Sequence, residues 1–265
     1  AVGYKALNAM NPSSDTDTFN VAIGYEAGKA VTTGIYNTLL GGLAGDALTT
    51  GGSNVAIGLN ALGAEDTGSD SIAIGRSALL NQNYDGSAYN IAIGRDASKE
   101  VTTGIKNVIL GGKAGDALTT GSNNIIIGYE AAASAVDVSN EITLGDANIS
   151  AFRCADQSIA ALSDGRDKSD IEESPYGLEF INKLKPVKFT WDFRPEHMAE
   201  TKQGKSRVGF IAQDLQEAMP NNDNDILDLV YEISEDRIEA KYGNLIPVMA
   251  KAIQELSAEV KKLKN

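Results

Sequence analysis

Cysteine and histidine, which often build catalytic or metal sites, each occur once in this chain of 265 residues. Cys154 is the only cysteine, which excludes an intrachain disulfide and a zinc site made of cysteines. His197 is the only histidine, which excludes a multi-histidine metal site and disfavours catalysis that depends on histidine. We therefore predict no metal and no cofactor, and interpret Cys154 as a buried structural thiol.

Long apolar runs and clustered positive charge are also missing. No run approaches the ~18 residues that a membrane span needs, so we expect no membrane insertion, and we also expect no signal peptide. The 23 basic residues against 36 acidic ones give a net charge of −13. Such a chain repels phosphate backbones, so we expect no binding to nucleic acid. The chain starts inside what resembles a repeat, and we expect it to be a fragment of a longer protein.

One acidic stretch has the spacing of a calcium loop. Asn221, Asp223, Asp225 and Glu232 occupy offsets 1, 3, 5 and 12, but Ile226 stands where the sharp turn requires glycine. We interpret the stretch as a solvated acidic loop.

Residues 1–150 are rich in glycine and repeat. Each short apolar run ends in a glycine, and these glycines are 17 residues apart except for one step of 19: Gly24, Gly41, Gly58, Gly75, Gly94, Gly111, Gly128 and Gly145. A fixed short period predicts stacked coils, and the alternating apolar run predicts a short strand that bends at its glycine. A coil of this length has room for two short strands. It cannot bury its own apolar face, so stacking or association with other copies must do so.

The rungs resemble the head repeats of trimeric autotransporter adhesins, which read like N-x-V-A-I-G, and related repeats of phage tail fibres. This resemblance implies a parallel β-roll or β-helical shaft in a homotrimer. Exposed carboxylates along the rungs invite a second interpretation as a glycan-degrading tailspike: Glu26, Asp46, Glu65 and Asp116. Glycosidases need two carboxyl groups roughly 5–10 Å apart in a groove, which repeated acids do not identify, so solvated rungs are the favoured interpretation.

After residue 160 the glycine rhythm stops and the charge density rises. Residues 163–265 carry 15 basic and 20 acidic residues, against 8 and 16 in residues 1–162. Apolar residues alternate in a half-buried strand from Val187 to Phe193, and Ile211, Leu215 and Met219 form one face of a helix that ends at Pro220. We therefore expect a mainly β protein with an α+β C-terminal domain.

The last helix has coiled-coil spacing. Apolar residues step by 3 and 4 along it, and we call them the heptad seam: Ile246, Met249, Ile253, Leu256, Val260 and Leu263. Pro247 suits the first turn of this helix. A helix with fewer than three heptads is marginal alone, so the seam indicates either association between copies or packing on its own domain.

A serine and a lysine five residues apart, Ser163 and Lys168, lie where the two kinds of sequence meet. Lysine can act as the base that activates a serine when burial favours its neutral form. The nearest electrophile is the carbonyl of Leu162, so attack would cut the chain between Leu162 and Ser163. Spacing alone leaves a solvated turn as the favoured interpretation.

The segment SDGRDKSDI, with LKPVKFTWD, VGFIAQDLQEAMP and YGNLIPVMAKAIQEL in that order, resembles the C-terminal intramolecular chaperone domain of phage tail fibres, tailspikes and endosialidases. The resemblance implies a domain that trimerises the preceding stalk and then cleaves itself, with Ser163 and Lys168 as catalytic residues. Asp164 and Arg166 match the family's SD-x-R and would shape the site. Asp167 stands where the family often has an apolar residue, and its charge would favour the protonated lysine and slow cutting.

The resulting hypothesis has three segments: a repeat shaft (1–150), a linker to the cut (151–162) and a chaperone and single-turnover serine autoprotease (163–265). It describes a homotrimeric phage tail fibre, made in the host cytoplasm and carried on the virion, whose shaft binds a host receptor or glycan. The alternatives are a fibre or adhesin whose C-terminal domain stays attached, and part of a glycan-degrading tailspike.

Overall fold

The computed structural model describes residues 1–11, 17–153, 163–192, 194, 202–220, 223–234 and 237–264. The chain divides into two compact units, Ala1–Ile149 and Ser150–Asn265. Leu162, Cys154, His197 and most of the expected linker 151–162 lie outside the described residues. The first unit is a parallel β-solenoid with 17-residue rungs, and the second is a small α+β domain that ends in a long helix.

Each of eight rungs contributes one strand of three residues to a parallel sheet in sequence order. The strands are Val21–Ile23 (β1), Thr38–Leu40 (β2), Val55–Ile57 (β3), Ile72–Ile74 (β4), Ile91–Ile93 (β5), Val108–Leu110 (β6), Ile125–Ile127 (β7) and Ile142–Leu144 (β8). Residues 17 positions apart face each other, as Val21 faces Thr38, and Ile72 faces Ile91 across the 19-residue step. The sequence left room for a second strand per rung. In the described rungs that part consists of turns instead, because left-handed residues such as Glu26 and Gly28 interrupt any extended run.

The strands bury their middle residue and turn their outer two residues outward. Ala22, Leu39 and Ile109 are fully buried, whereas Val21 is 48% and Ile142 is 68% exposed. Strands β1 to β7 follow this pattern, and in β8 the middle residue Thr143 is partly exposed, so two columns that are aliphatic except at Thr38 run along the outside of the sheet. We call this surface the aliphatic face.

Inside the solenoid, the large side chain of a rung occupies one of two positions, and which position it occupies differs between rungs. Leu39 fills the space beside Gly28 and Gly45, where an added Cβ would lie 2.5 and 2.9 Å from its methyl carbons. In the next rung the small residue is Ala56 and the large one is Leu62, both fully buried. In these two rungs the exchange keeps the interior filled.

A ladder of asparagines precedes the strands. The amide nitrogen of Asn54 donates to the side-chain oxygen of Asn37 at 3.0 Å, and the Asn37 side chain donates to the Gly51 carbonyl at 2.9 Å. Asn107 and Asn124 repeat the arrangement 70 residues later. The asparagine side chains thereby pair buried backbone groups at the rung corners, which lie outside the three-residue strands.

The 19-residue step is built around a buried carboxylate. Glu65 and Gln82 occupy a position that holds Val31 or Leu48 in regular rungs, and both are fully buried. The Glu65 carboxylate accepts from the Gly68 amide at 2.7 Å and from the Gln82 side chain at 3.0 Å. The sequence-based expectation that Glu65 is exposed is therefore wrong. The carboxylate is buried because the widened turn needs acceptors for its inward-pointing N–H groups.

The described residues of the C-terminal unit form two hairpin sheets and four α-helices. Its elements are Leu178–Ile181 (α1), Val187–Thr190 (β9), Ser206–Gly209 (β10), Ala212–Ala218 (α2), Asn224–Leu227 (α3), Val230–Ser234 (β11), Arg237–Ala240 (β12) and Leu245–Leu263 (α4), with 3₁₀ turns at Gly165–Asp167 and Tyr242–Asn244. Strands β9 and β10 pair antiparallel, as do β11 and β12. The strand and the helix predicted between residues 187 and 219 are present, although β9 ends at Thr190.

Helix α4 has two apolar faces. Its buried residues are Leu245, Val248 and Ala252, and the first two pack in a core with Phe180 and Leu215. The heptad seam lies on the adjacent face of the helix and is 41–87% exposed in the single chain. One face therefore holds the domain together, and the other is free to meet another copy.

Candidate functional site

The segment that opens the C-terminal domain brings the predicted serine and lysine into contact. The Lys168 ammonium Nζ donates a hydrogen bond to Ser163 Oγ at 2.6 Å. The two residues flank the 3₁₀ turn Gly165–Asp167, and this compact turn closes the five-residue spacing. A lysine that loses its proton at this position would accept the hydroxyl proton of the serine, which is the first step of serine activation.

Asp164 and Arg166 hold the turn between the serine and the lysine. The Asp164 carboxylate caps the turn by accepting from the Arg166 amide at 2.9 Å, and it also accepts from the guanidinium Nη2 at 2.6 Å. The Arg166 side chain, and secondarily its amide, lowers the pKa of the Asp164 carboxyl below its usual value. The pair thus shapes the loop, and neither residue contacts the serine hydroxyl in the described hydrogen bonds.

The whole segment is exposed in the single chain. All residues from Ser163 to Lys168, including Asp167, are exposed. This exposed segment therefore does not supply the burial that a lysine base requires. Leu162, whose carbonyl was predicted to be cut, lies outside the described residues.

Buried and paired groups fasten the following residues to the domain core. The Tyr176 hydroxyl donates to the Asp223 carboxylate, and Glu255 of α4 accepts from the Leu178 amide at 2.7 Å. A Cβ at Gly177 would lie 2.3 Å from that Glu255 oxygen, so a larger residue there would displace the Glu255 side chain. Sequence reasoning missed these tethers because Glu255 lies 77 positions from its partner.

Other candidate sites are weaker. Within the described ranges there is no group of three or more histidine, cysteine, aspartate or glutamate residues that could hold a metal ion, and there is no helix long and apolar enough to cross a membrane. Asp223 of the acidic loop is bonded to Tyr176, while Glu232 lies in β11. An open depression of about 290 Å³ lies beside Trp191, Arg207 and Tyr242 on the β9–β10 hairpin.

Comparison with known proteins identifies the C-terminal domain. The family model described as chaperone of endosialidase matches residues 163–224. Neither a search of curated proteins nor a search of solved structures finds a match to the chain. The chain therefore carries a chaperone-of-endosialidase domain after its β-solenoid. This family implies an intramolecular chaperone of a phage fibre-like protein that acts in homotrimers and releases itself as a self-cleaving serine protease.

Proposed function

We propose that residues 163–265 trimerise the solenoid of this chain and then cut themselves off between Leu162 and Ser163. Ser163 is the nucleophile, Lys168 the general base, and Asp164 and Arg166 shape the turn between them. The released product is the shaft of a phage tail fibre, carried on the virion as a homotrimer that binds a host receptor or glycan.

The reaction is an acyl transfer within the chain followed by hydrolysis. Neutral Lys168 takes the hydroxyl proton of Ser163, and Oγ attacks the carbonyl carbon of Leu162. The bond from that carbon to the Ser163 nitrogen breaks, and the nitrogen receives the proton from Lys168. This leaves an ester between Leu162 and Ser163 Oγ, which water hydrolyses to a Leu162 carboxylate and a Ser163 hydroxyl beside a free α-amine.

The observation that carries this proposal is the 2.6 Å hydrogen bond between Lys168 Nζ and Ser163 Oγ. Base and nucleophile must be within hydrogen-bond reach, about 2.6–3.2 Å, and this pair satisfies that requirement before any rearrangement. Ser163 is also the first residue of the segment that matches the chaperone family.

Two exposed apolar surfaces support a homotrimer. The aliphatic face runs the length of the solenoid, with Val21, Ile93 and Ile125 between 37% and 48% exposed. The heptad seam of α4 is a second such surface. Burying apolar area yields roughly 25 cal/mol per Å², so association of copies stabilises both surfaces.

Trimerisation also supplies what the exposed dyad lacks. Removing Lys168 from water disfavours its charged form and makes it a better base. We infer that cutting waits for neighbouring copies to cover the Ser163–Lys168 segment, so that a chain is released only after it has assembled.

The test is expression of the full chain with substitutions at the dyad. Unaltered chains should separate on a denaturing gel into pieces 1–162 and 163–265, and the smaller piece should begin with Ser163. Ser163→Ala should leave one band. Lys168→Arg should do so too, because arginine keeps the charge and donor capacity but cannot act as a base at neutral pH.

Trimer formation is followed separately by sedimentation of the Ser163→Ala chain. A trimer that stays uncut in the unaltered chain would overturn the autoprotease and favour a fibre with a permanently attached domain. Cutting by Lys168→Arg at the unaltered rate would show that lysine is not the base.

A further inference from the structure

Two columns of side chains flank the aliphatic face. The pre-strand column holds the residue two positions before each strand: Phe19, Tyr36, Ser53, Asp70, Tyr89, Lys106, Asn123 and Asn140. All of these have left-handed backbones with φ between 50 and 64°. The post-strand column holds the residue two positions after each strand: Tyr25, Gly42, Leu59, Arg76, Arg95, Gly112, Tyr129 and Asp146. The structure thus repeats two aligned corners at every rung.

The aromatic residues of these columns are exposed although they are large. Phe19, Tyr36 and Tyr89 of the pre-strand column are 55–65% exposed, and Tyr25 and Tyr129 of the post-strand column are 56% and 64% exposed. Aromatic side chains of this size usually contribute to cores and interfaces. Their placement on both sides of the aliphatic face extends that apolar surface to the corners.

At two positions of the post-strand column, no contact within the chain requires the residue to be glycine. At Gly42 an added Cβ would meet the Leu59 side chain at 3.4 Å, an ordinary contact, and at Gly112 the nearest atom is 3.5 Å away on Tyr129. Neither glycine has a left-handed backbone. By contrast, the preceding Gly41 has φ of 140° and a Cβ there would lie 2.6 Å from a carbonyl oxygen. The space at Gly42 and Gly112 is therefore available to something outside the chain.

Rotational symmetry determines which columns meet. In a ring of three parallel copies the interface is head-to-tail, so the left edge of each copy contacts the right edge of the next. With the aliphatic faces turned inward, the pre-strand column of one copy lies against the post-strand column of its neighbour. We call the arrangement in which corners of the same rung meet across two copies pairing at equal height. It sets Tyr36 against Gly42 and Lys106 against Gly112, so that a large side chain lies opposite each of the two glycines.

Charge agrees with equal height. Asp70 then faces Arg76 of the next copy, and the rung pairs contain no like charges. A shift of one rung that sets Tyr36 against Tyr25 would place Lys106 against Arg95, which is unfavourable. The opposite shift sets Asp70 against Arg95 without like charges, and closed rotation, which allows no offset of the copies along the axis, is what disfavours it. Within its own chain Asp70 accepts from the Ser87 hydroxyl, and Arg76 reaches Asp96 only at 3.7 Å, so both can serve a further partner.

We propose that the two columns form the lateral contact between copies and fix their relative height, with Asp70 paired to Arg76 of the next copy and Gly42 and Gly112 receiving Tyr36 and Lys106. This inference rests on the homotrimer proposed above. It adds a specific pairing to that trimer, and the pairing can fail while the trimer stands.

Disulfide trapping tests the pairing in the full chain with Cys154→Ser as background. Asp70→Cys combined with Arg76→Cys should form a covalent trimer on oxidation, because each copy presents one cysteine to each neighbour. A three-residue strand at roughly 3.3 Å per residue, with flanking residues, keeps the two positions of one chain beyond the ~7 Å limit for a disulfide. Asn123→Cys combined with Tyr129→Cys repeats the test at another rung.

The controls separate the pairing from the oligomer. Either cysteine alone should stay uncrosslinked, whereas a two-fold contact would give dimers. Asp70→Cys with Leu59→Cys or with Arg95→Cys, one rung away, should crosslink at least several-fold more slowly. Faster crosslinking of a shifted pair, or no crosslinking in a chain that sediments as a trimer, overturns the pairing. A chain that sediments as a monomer overturns the trimer itself.

A second measurement does not depend on disulfides. Gly42→Leu should fit its own chain but weaken the trimer, which is detected as dissociation at a higher protein concentration, and adding Tyr36→Ala should restore it. Equal trimer stability in unaltered and Gly42→Leu chains would contradict the proposed contact.

Discussion

Ser98 illustrates how finely the interior of the solenoid is balanced. It is fully buried, and among the described residues its hydroxyl is the buried side-chain oxygen without a hydrogen-bond partner. Leaving a buried polar group unpaired costs roughly 1–3 kcal/mol. Ser71 has the same side chain and burial, but its hydroxyl accepts from Gln82 at 2.9 Å.

Replacing Ser98 with alanine should therefore stabilise the shaft by about 1 kcal/mol. Ser71→Ala is the matched control and should destabilise it, because Gln82 loses an acceptor. Both changes are measured as shifts of the unfolding midpoint in denaturant at a fixed protein concentration. Equal shifts in the same direction would show that the hydroxyl of Ser98 is satisfied in solution.

The sequence predicts individual residues unevenly. Ser163 and Lys168 could be named because few other nucleophile and base pairs exist in a chain with one histidine, and because they begin a recognisable segment. The burial of Glu65 could not be predicted, since a carboxylate in a turn is normally solvated. Only the pairing with Gln82 and Gly68, visible in three dimensions, makes its burial favourable.

At the level of elements, α4 presents two apolar surfaces on adjacent faces. The sequence predicts the heptad seam from its spacing of 3 and 4. It left open whether that seam packs on its own domain or on other copies. In the single chain the other apolar face, with Leu245 and Val248, packs in the domain core, so the seam does not pack there.

The same substitution on the two faces should have different effects. Leu256→Ala, at a position 48% exposed, should leave the domain folded but weaken the trimer. Leu245→Ala, at a position 3% exposed, should cost roughly 2–5 kcal/mol of domain stability. Circular dichroism reports folding, and sedimentation equilibrium reports association, both in the Ser163→Ala background. An unchanged trimer in Leu256→Ala would place the contact between copies elsewhere.

The strands show what pattern alone conveys. The alternation in Val-Ala-Ile correctly predicts a strand with one inward residue, and the fixed period correctly predicts stacking. The single strand per rung does not follow from the pattern, because left-handed backbones at non-glycine residues such as Glu26 and Leu43 cannot be inferred from residue type.

At the level of the whole molecule, the proposed function couples assembly and release in one chain. Contacts between copies of a parallel stack are formed late and at random height unless something aligns the copies. A trimerising domain supplies that alignment once. After its release the shaft has no means to repeat the process, so its persistence depends on a slow rate of unfolding.

This coupling predicts a difference in refolding. Cut shafts that are purified, unfolded in guanidinium and diluted should recover several-fold less trimer than Ser163→Ala chains treated in the same way. Recovery is measured by size-exclusion chromatography with light scattering. Lys168→Arg is the control and should refold like Ser163→Ala. Equal recovery by cut shafts would remove the need for an attached chaperone.

The length of the solenoid is set by its number of rungs. Adjacent strands are about 4.8 Å apart, so each rung adds that distance along the stack. The segments VTTGI at 31–35 and GDALTTG at 45–51 recur 70 residues later, which is four rungs including the 19-residue step. A gene that gains or loses one such block changes the length of the shaft by about 19 Å and keeps the rung geometry. The corner residues differ between the two blocks, as Tyr36 differs from Lys106, so length can vary in fixed increments while each corner still meets the corner of the same rung in the next copy.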